Sequence, residues 1–353
     1  MGLPTHANTD DTFVMLPNGM TVAVEKRITV ALNPKRDFHG PCVVKAPNGD
    51  LLLSHKDSEV HVGGDSFVRQ WRSTDDGFTW IDEGIVADWR SECLDALFGE
   101  YGVAPDGRMA MVVQRVRPLV GDEGCTSSVW YVSVDNGASW EFQGLVDPSN
   151  EYAVMSARSL TTWDGKIYFG TWSRLGNALY SSEDNMRTWK RRSVIFPATH
   201  PGFEELSNAG PPFYPHVMFL PGGRLMAMTY CTPPTNHCYV RFSDDCGCTW
   251  GPIIERLDLP IWAPRMNRMG DDLWIVTGRD VEEHVTAAFF SVDRGESWGN
   301  KLVVDRPLFF PGSQGYSSSI SIGPDRFWVF TSSVQHEGKG GIVGVLLKVN
   351  FEL

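Results

Sequence analysis

The sequence predicts an all-β protein, a six-bladed β-propeller of four-stranded antiparallel blades, and three observations lead there. A turn of the form S-x-D-x-G-x-[ST]-W recurs five times, as STDDGFTW, SVDNGASW, SEDNMRTW, SDDCGCTW and SVDRGESW. Its tryptophans, Trp80, Trp140, Trp189, Trp250 and Trp298, are spaced by 60, 49, 61 and 48 residues, the length of one propeller blade. Six segments, among them CVVKAPNGDLLLSHK and HVMFLPGGRLMAMTY, place two β-rich arms about a turn of Pro, Asp, Asn or Gly. No segment sustains the apolar period of a helix.

The six hairpins begin near Cys42, Tyr101, Arg158, His216, Arg265 and Ser319, and the five turns follow the first five of them. Each residue type in the turn has a physical task. The Asp carboxylate accepts bonds from backbone N–H groups of its own turn, and the Gly adopts a positive φ without steric cost. The Trp ring packs between neighbouring sheets. In the third copy Met186 stands where the others have Gly, so that turn is expected to be strained or altered. The whole chain, 1–353, is read as one propeller domain, with residues 1–30 as an arm or closing strand.

The composition narrows the class of partner. A hydrophobic content of 42% against 21% charged residues is that of an ordinary globular protein, and no apolar run is long enough to cross a bilayer as a helix. The net charge of −12 argues against nucleic acid or an anionic membrane as main partner, because both need a basic footprint. The N-terminal stretch lacks the basic start and apolar run of a signal peptide, so the chain reads as cytoplasmic or as trimmed of its leader. Cys231, Cys238, Cys246 and Cys248 do not have the paired spacing of a zinc site, and no metal or cofactor is expected. The oligomeric state is left open.

These turns are the Asp boxes of the sialidase (neuraminidase) superfamily, which the chain resembles along almost its whole length. The boxes sit on the outer rim of such propellers, so any chemistry belongs to the residues nearest the axis. The resemblance implies an arginine triad for a substrate carboxylate, an Asp acid/base, and a Tyr nucleophile served by a Glu. Tyr316 in GYSSSISIGPD resembles the family's tyrosine, and Asp65 in VGGDSFVRQWRSTDDGFTW lies where its acid/base is expected, on a loop whose glycines suggest mobility. Arg265 in WAPRMNRM resembles a triad arginine. The stretch FHGPCVV places His39 where the family has the arginine of an R-I-P motif. PFYPHV places Tyr214 and His216 where the family has its Glu, and Glu205, with Glu204 beside it, is the substitute upstream. Arg115, Arg158, Arg174 and Arg279 are further cationic candidates near the axis, suited to gripping a carboxylate through paired hydrogen bonds.

The leading reading is therefore an exo-glycosidase acting on a terminal acidic sugar, such as sialic acid or a related ulosonic acid. Its catalytic residues are Asp65, Tyr316 and Glu205. Its substrate-binding residues are His39, Arg115, Arg158, Arg174, His216, Arg265 and Arg279, and its partner is a glycan with a carboxylate-bearing sugar. Two alternatives stand beside it. The same fold can carry a uronate-glycan lyase or hydrolase in which His39 or His216 works with a tyrosine. It can also be a non-catalytic glycan-binding propeller that stacks sugars on Trp89, Trp172 or Trp262.

Overall fold

A computed structural model describes residues 12–60, 63–117, 127–153, 155–198, 212–231, 236–307, 315–333 and 340–351, with the side chains of 155–159 excluded. It has the six antiparallel sheets that the repeat predicts. From the axis outward, blade 1 is Asp37–Lys45, Leu51–Ser58, Phe67–Ser73 and Ile81–Asp88. Blade 2 is Asp95–Val103, Met109–Val116, Ser127–Ser133 and Glu141–Leu145. Blade 3 is Met155–Trp163, Lys166–Ser173, Gly176–Ser182 and Lys190–Pro197. Blade 4 is Phe213–Phe219, Leu225–Tyr230, Cys238–Ser243 and Ile254–Arg256. Blade 5 is Trp262–Met269, Leu273–Asp280, Val285–Ser291 and Gly299–Asp305. Blade 6 is composite. Ser317–Ser321, Arg326–Ser333 and Gly341–Asn350 come from the C-terminal end, while Thr21–Leu32 and Phe13–Met15 come from the N-terminal end.

The first strands of successive blades touch one another in a closed ring, which puts the axis between them. Apolar side chains of each second strand point alternately to the two neighbouring blades, because strand side chains alternate faces. Met109, Met111 and Val113 thus meet Leu52 and Val68 of blade 1, while Ala110 and Val112 meet Ile167 and Phe169 of blade 3. Each fully buried Val, Ile, Leu, Phe or Met side chain among these is worth roughly 1.5–3 kcal/mol, so the spaces between blades form the core.

The five repeated turns fasten blade to blade. In the first, Ser73 Oγ accepts the Gly77 N–H at 2.8 Å, and Asp75 accepts both the N–H and the hydroxyl of Thr79 at 2.9 and 2.7 Å. The indole N–H of Trp140 donates to Gln70 of blade 1, and that of Trp250 donates to Ser193 of blade 3. The third turn keeps this geometry. Met186 takes a φ of 62° and its N–H still donates to Ser182 Oγ at 2.8 Å, while its side chain is buried against blade 2. Hydroxyl bonds from Ser139 and Thr249 bring Asp135 and Asp245 down to about 2, so these are locked turn carboxylates.

Candidate active site

The site begins with a backbone irregularity. The first strands of blades 1 to 5 each break register with the second strand near their start, at His39/Cys42, Leu97/Gly99, Ser156/Leu160, Phe213/His216 and Trp262/Arg265. In four of them a residue of positive φ sits in the break: Gly40 at 60°, Phe98 at 48°, Tyr214 at 40° and Ala263 at 53°. Such bulges bend the strand and re-aim its side chains. A Cβ on Gly40 would lie 2.3 Å from Phe98, so glycine there lets the phenyl ring lie against the backbone. The breaks divide the axis into two layers.

Beyond the break, on the face opposite the repeated turns, the side chains form a funnel. The Tyr316 ring lies 4.3 Å from that of His39 and 5.9 Å from that of Phe98, centroid to centroid, with the Arg279 guanidinium 4.9 Å away. Tyr316 therefore faces the axis, meeting groups from blades 1, 2 and 5. Arg279 is buried and also lies over Trp262, its cross-strand partner, at 5.6 Å. Blades 3 to 5 continue the wall with aromatic rings. Trp172 stacks on Phe213 at 5.8 Å, Phe213 meets Tyr230 at 5.7 Å, and Tyr230 meets Trp262 at 6.2 Å. The charges collect instead on blades 1 and 2.

There the loop after Leu51–Ser58 carries Asp65. Asp95, the first residue of blade 2 and fully buried, accepts four bonds from this loop. Gly63 and Gly64 donate through backbone N–H at 3.1 and 2.9 Å, and Ser66 donates through N–H and hydroxyl at 3.0 and 2.6 Å. The mobility suggested by the glycines is thus countered by a clamp. Asp65 Oδ2 accepts the Glu59 N–H at 2.6 Å and an Arg36 N–H at 3.4 Å, while Oδ1 makes no hydrogen bond among the described residues. Beneath lies Lys56, fully buried, donating to the Val60 carbonyl at 3.2 Å and lying 3.9 Å from Asp37. Burial draws the Lys56 ammonium down to about 8, against the opposing pull of Asp37, Asp95 and Asp65.

Before the break lies the second layer, which closes the axis. Arg265 of blade 5 donates two parallel bonds, 2.9 and 2.6 Å, to Glu100 of blade 2 on the far side of the ring. Both are almost wholly buried. His216 Nδ1 accepts the Met266 N–H at 3.0 Å, Cys42 accepts the Tyr101 N–H at 3.5 Å, and Ser318 accepts the Val43 N–H at 3.2 Å. Each stitches one first strand to the next. Past this layer a cavity of about 550 Å³ opens toward the turn face, lined by Lys45, Asn267 and Ser321 among others.

The predicted residues therefore separate. Tyr316, His39 and Arg279 come together in the funnel, with Asp65 on the clamped loop of blade 1. Arg265 and His216 lie in the closing layer, Arg265 paired with Glu100 and His216 accepting the Met266 N–H. Arg115 is drawn outward, its Nε donating to Ser127 and its guanidinium lying 5.8 Å from Trp89, and Arg174 sits exposed in a hairpin turn. Trp89 packs against Tyr131 and Phe142, away from the axis. The Arg158 side chain, Glu204 and Glu205 lie outside the described residues. Sequence reasoning passed over Phe98, Asp95, Glu100 and Arg36. A signal for the breaks was present in Gly40-Pro41, Tyr214-Pro215 and Ala263-Pro264, since proline pushes the preceding residue out of the right-handed helical region.

Among the described residues no group of His, Cys, Asp and Glu could hold a metal ion, and no helix is long and apolar enough to cross a membrane. No protein-family model matches the sequence, and no curated protein is recognisably similar to it. Solved structures are. A protein of unknown function from Dyadobacter fermentans superposes with a TM-score of 0.78 at 16% identity, over 95% of this chain and 100% of that one. The α-L-arabinanase of Penicillium chrysogenum, complexed with arabinobiose, gives 0.65 at 17% identity, over 92% and 98%. A Hadza microbial sialidase gives 0.67 at 16% identity, over 88% of this chain and 66% of that one. At such identities the likeness establishes the fold alone: this chain is a six-bladed β-propeller that superposes on these structures.

Proposed function

We propose that the protein is an exo-acting glycoside hydrolase that removes a terminal carboxylate-bearing sugar from a glycan, with Tyr316 as nucleophile and Asp65 as acid/base. The observation that carries this reading is the place of Tyr316, at the axis beside His39 and under the Arg279 guanidinium. In this reading Arg279 neutralises the sugar carboxylate, and the aromatic wall of blades 3 to 5 contacts the apolar faces of the ring. Tyr316 Oη attacks the anomeric carbon as the bond to the leaving oxygen breaks, and Asp65 gives its proton to that oxygen. The phenol proton passes to a base, the role assigned to Glu205. Asp65 then takes a proton from water, which displaces Tyr316. A neutral attacker avoids repulsion from the substrate carboxylate.

The test is a panel of umbelliferyl glycosides comprising an α-sialoside, a glucuronide and, because an arabinanase is among the structural neighbours, an arabinofuranoside. Tyr316→Phe should lower turnover of the anionic substrate by about 10³-fold or more. Arg279→Met should lower kcat/KM for it about 10–100-fold, the worth of a charge-assisted contact. Wild-type turnover by Tyr316→Phe would overturn the reading. The ring contact of His39 with Tyr316 favours a second reading, proton abstraction beside a uronate carboxylate. Release of a product absorbing in the near ultraviolet from uronate polymers selects it.

A further inference from the structure

Two buried charges of opposite sign lie under one loop. Asp95 binds the Gly63, Gly64 and Ser66 end, and Lys56 binds the Val60 end through its carbonyl. Neither side chain reaches solvent. Burying a charge is costly unless it is paired and hydrogen-bonded, and a satisfied buried network holds its geometry tightly. Asp65 lies within the Gly63–Ser66 segment, with one carboxylate oxygen fastened and the other without a hydrogen bond among the described residues.

Among the described residues, four charged groups act on the Lys56 ammonium. Asp37 belongs to the first strand of blade 1 and Asp95 to that of blade 2, Asp65 to the loop, and Arg36 to the segment entering blade 1. His39 is its cross-strand partner. Three carboxylates therefore favour the charged form of one ammonium, Asp37 from 3.9 Å. If that ammonium becomes an amine, the carboxylates lose its counter-charge, Arg36 at 3.4 Å from Asp65 being already bonded to Asp57 at 2.6 Å, and repulsion acts on the Gly63–Ser66 segment.

We propose that Lys56 is a pH-sensitive positioning residue for Asp65: with Asp95 it forms a clamp of opposite charges that holds the Gly63–Ser66 segment in place only while Lys56 keeps its proton. The assignment of a chemical role to Asp65 rests on the hydrolase reading above; the clamp itself does not.

The experiment separates the two. In the folded protein the backbone amide resonances of Gly63 and Gly64 should titrate with a midpoint near 8, where burial places Lys56. In Lys56→Arg, which keeps its charge, they should stay flat across the same range. Amide hydrogen exchange at Gly63, Gly64 and Ser66 should quicken about 10-fold or more in Asp95→Asn, which keeps shape but loses charge. Resonances that do not titrate there, or that titrate identically in Lys56→Arg, overturn the clamp, and so does unchanged exchange in Asp95→Asn. Activity is then read on the umbelliferyl α-sialoside. The wild type should lose kcat above about pH 8 with KM steady, and Lys56→Arg should lack that alkaline limb. Asp95→Asn should lower kcat about 10-fold, the cost of a misplaced group, and add no loss in an Asp65→Asn background. Should both resonance results appear while Asp65→Asn turns over normally, the clamp stands and the hydrolase reading falls.

Discussion

His55 shows how one burial decides a pH response. It is fully buried on the second strand of blade 1, with Nδ1 donating to the Lys56 carbonyl at 2.9 Å and Nε2 accepting the Trp71 indole N–H at 3.0 Å. A second proton on Nε2 would face that N–H. Burial lowers the imidazole to about 4, against 6.5 for the free side chain. Because the folded value lies below the unfolded one, the unfolded chain takes up the proton first on acidification. The stabilisation is complete above about 6.5 and is lost as pH falls through about 4, a loss of about 3 kcal/mol. Melting temperature should drop steeply across that window in the wild type and more shallowly in His55→Gln, measured by scanning calorimetry.

The repeated turn and the strand break are the two devices at the scale of an element. The glycines of the turns lie where a side chain would strike a neighbour: a Cβ on Gly137 would come 2.3 Å from Leu52 of blade 1, and one on Gly247 would come 2.1 Å from Leu179 of blade 3. Met186 reverses this relation by filling the space. Replacing it with glycine would relieve a left-handed backbone worth roughly 1–2 kcal/mol. It would also empty a buried site, at a cost of roughly 2–5 kcal/mol. The packing loss is the larger, so Met186→Gly should destabilise by about 1–3 kcal/mol in denaturant unfolding, although it restores the motif. The breaks in the first strands shape the proposed site. They turn Phe98 and Tyr214 toward the funnel and leave Glu100 and Arg265 to close the axis.

Across the whole molecule the Arg265–Glu100 pair is a strut between opposite blades. Removing one partner leaves a buried charge unpaired, so Glu100→Gln or Arg265→Met should each cost about 3–5 kcal/mol. Replacing both with apolar residues of similar volume, as in Glu100→Leu with Arg265→Met, should restore most of that stability, measured by denaturant titration as a double-mutant cycle. The ring is closed by blade 6, where Thr21–Leu32 pairs along the whole of Gly341–Asn350. Deleting Thr21–Leu32 should open that blade and abolish a single cooperative unfolding transition, because each blade's core is shared with the next.

Blade number, turn chemistry and the axial place of Tyr316 were legible in the residues because each rests on local pattern. A period of about one blade, a hairpin signal and a strand start all lie within short stretches of chain. The division of the cationic candidates was not. Arg265 meets Glu100 across 165 residues, and nothing near either one announces the other. Arg115 and Arg279 end equivalent second strands, yet one turns out toward Trp89 and the other in toward Tyr316. The face that a strand residue presents alternates with register, and a single bulge reverses it. The sequence by itself determined the propeller and the loop that bears Asp65. Only the tertiary structure decided which charges serve the funnel, which close the axis, and which clamp that loop, because each depends on partners brought together by ring closure.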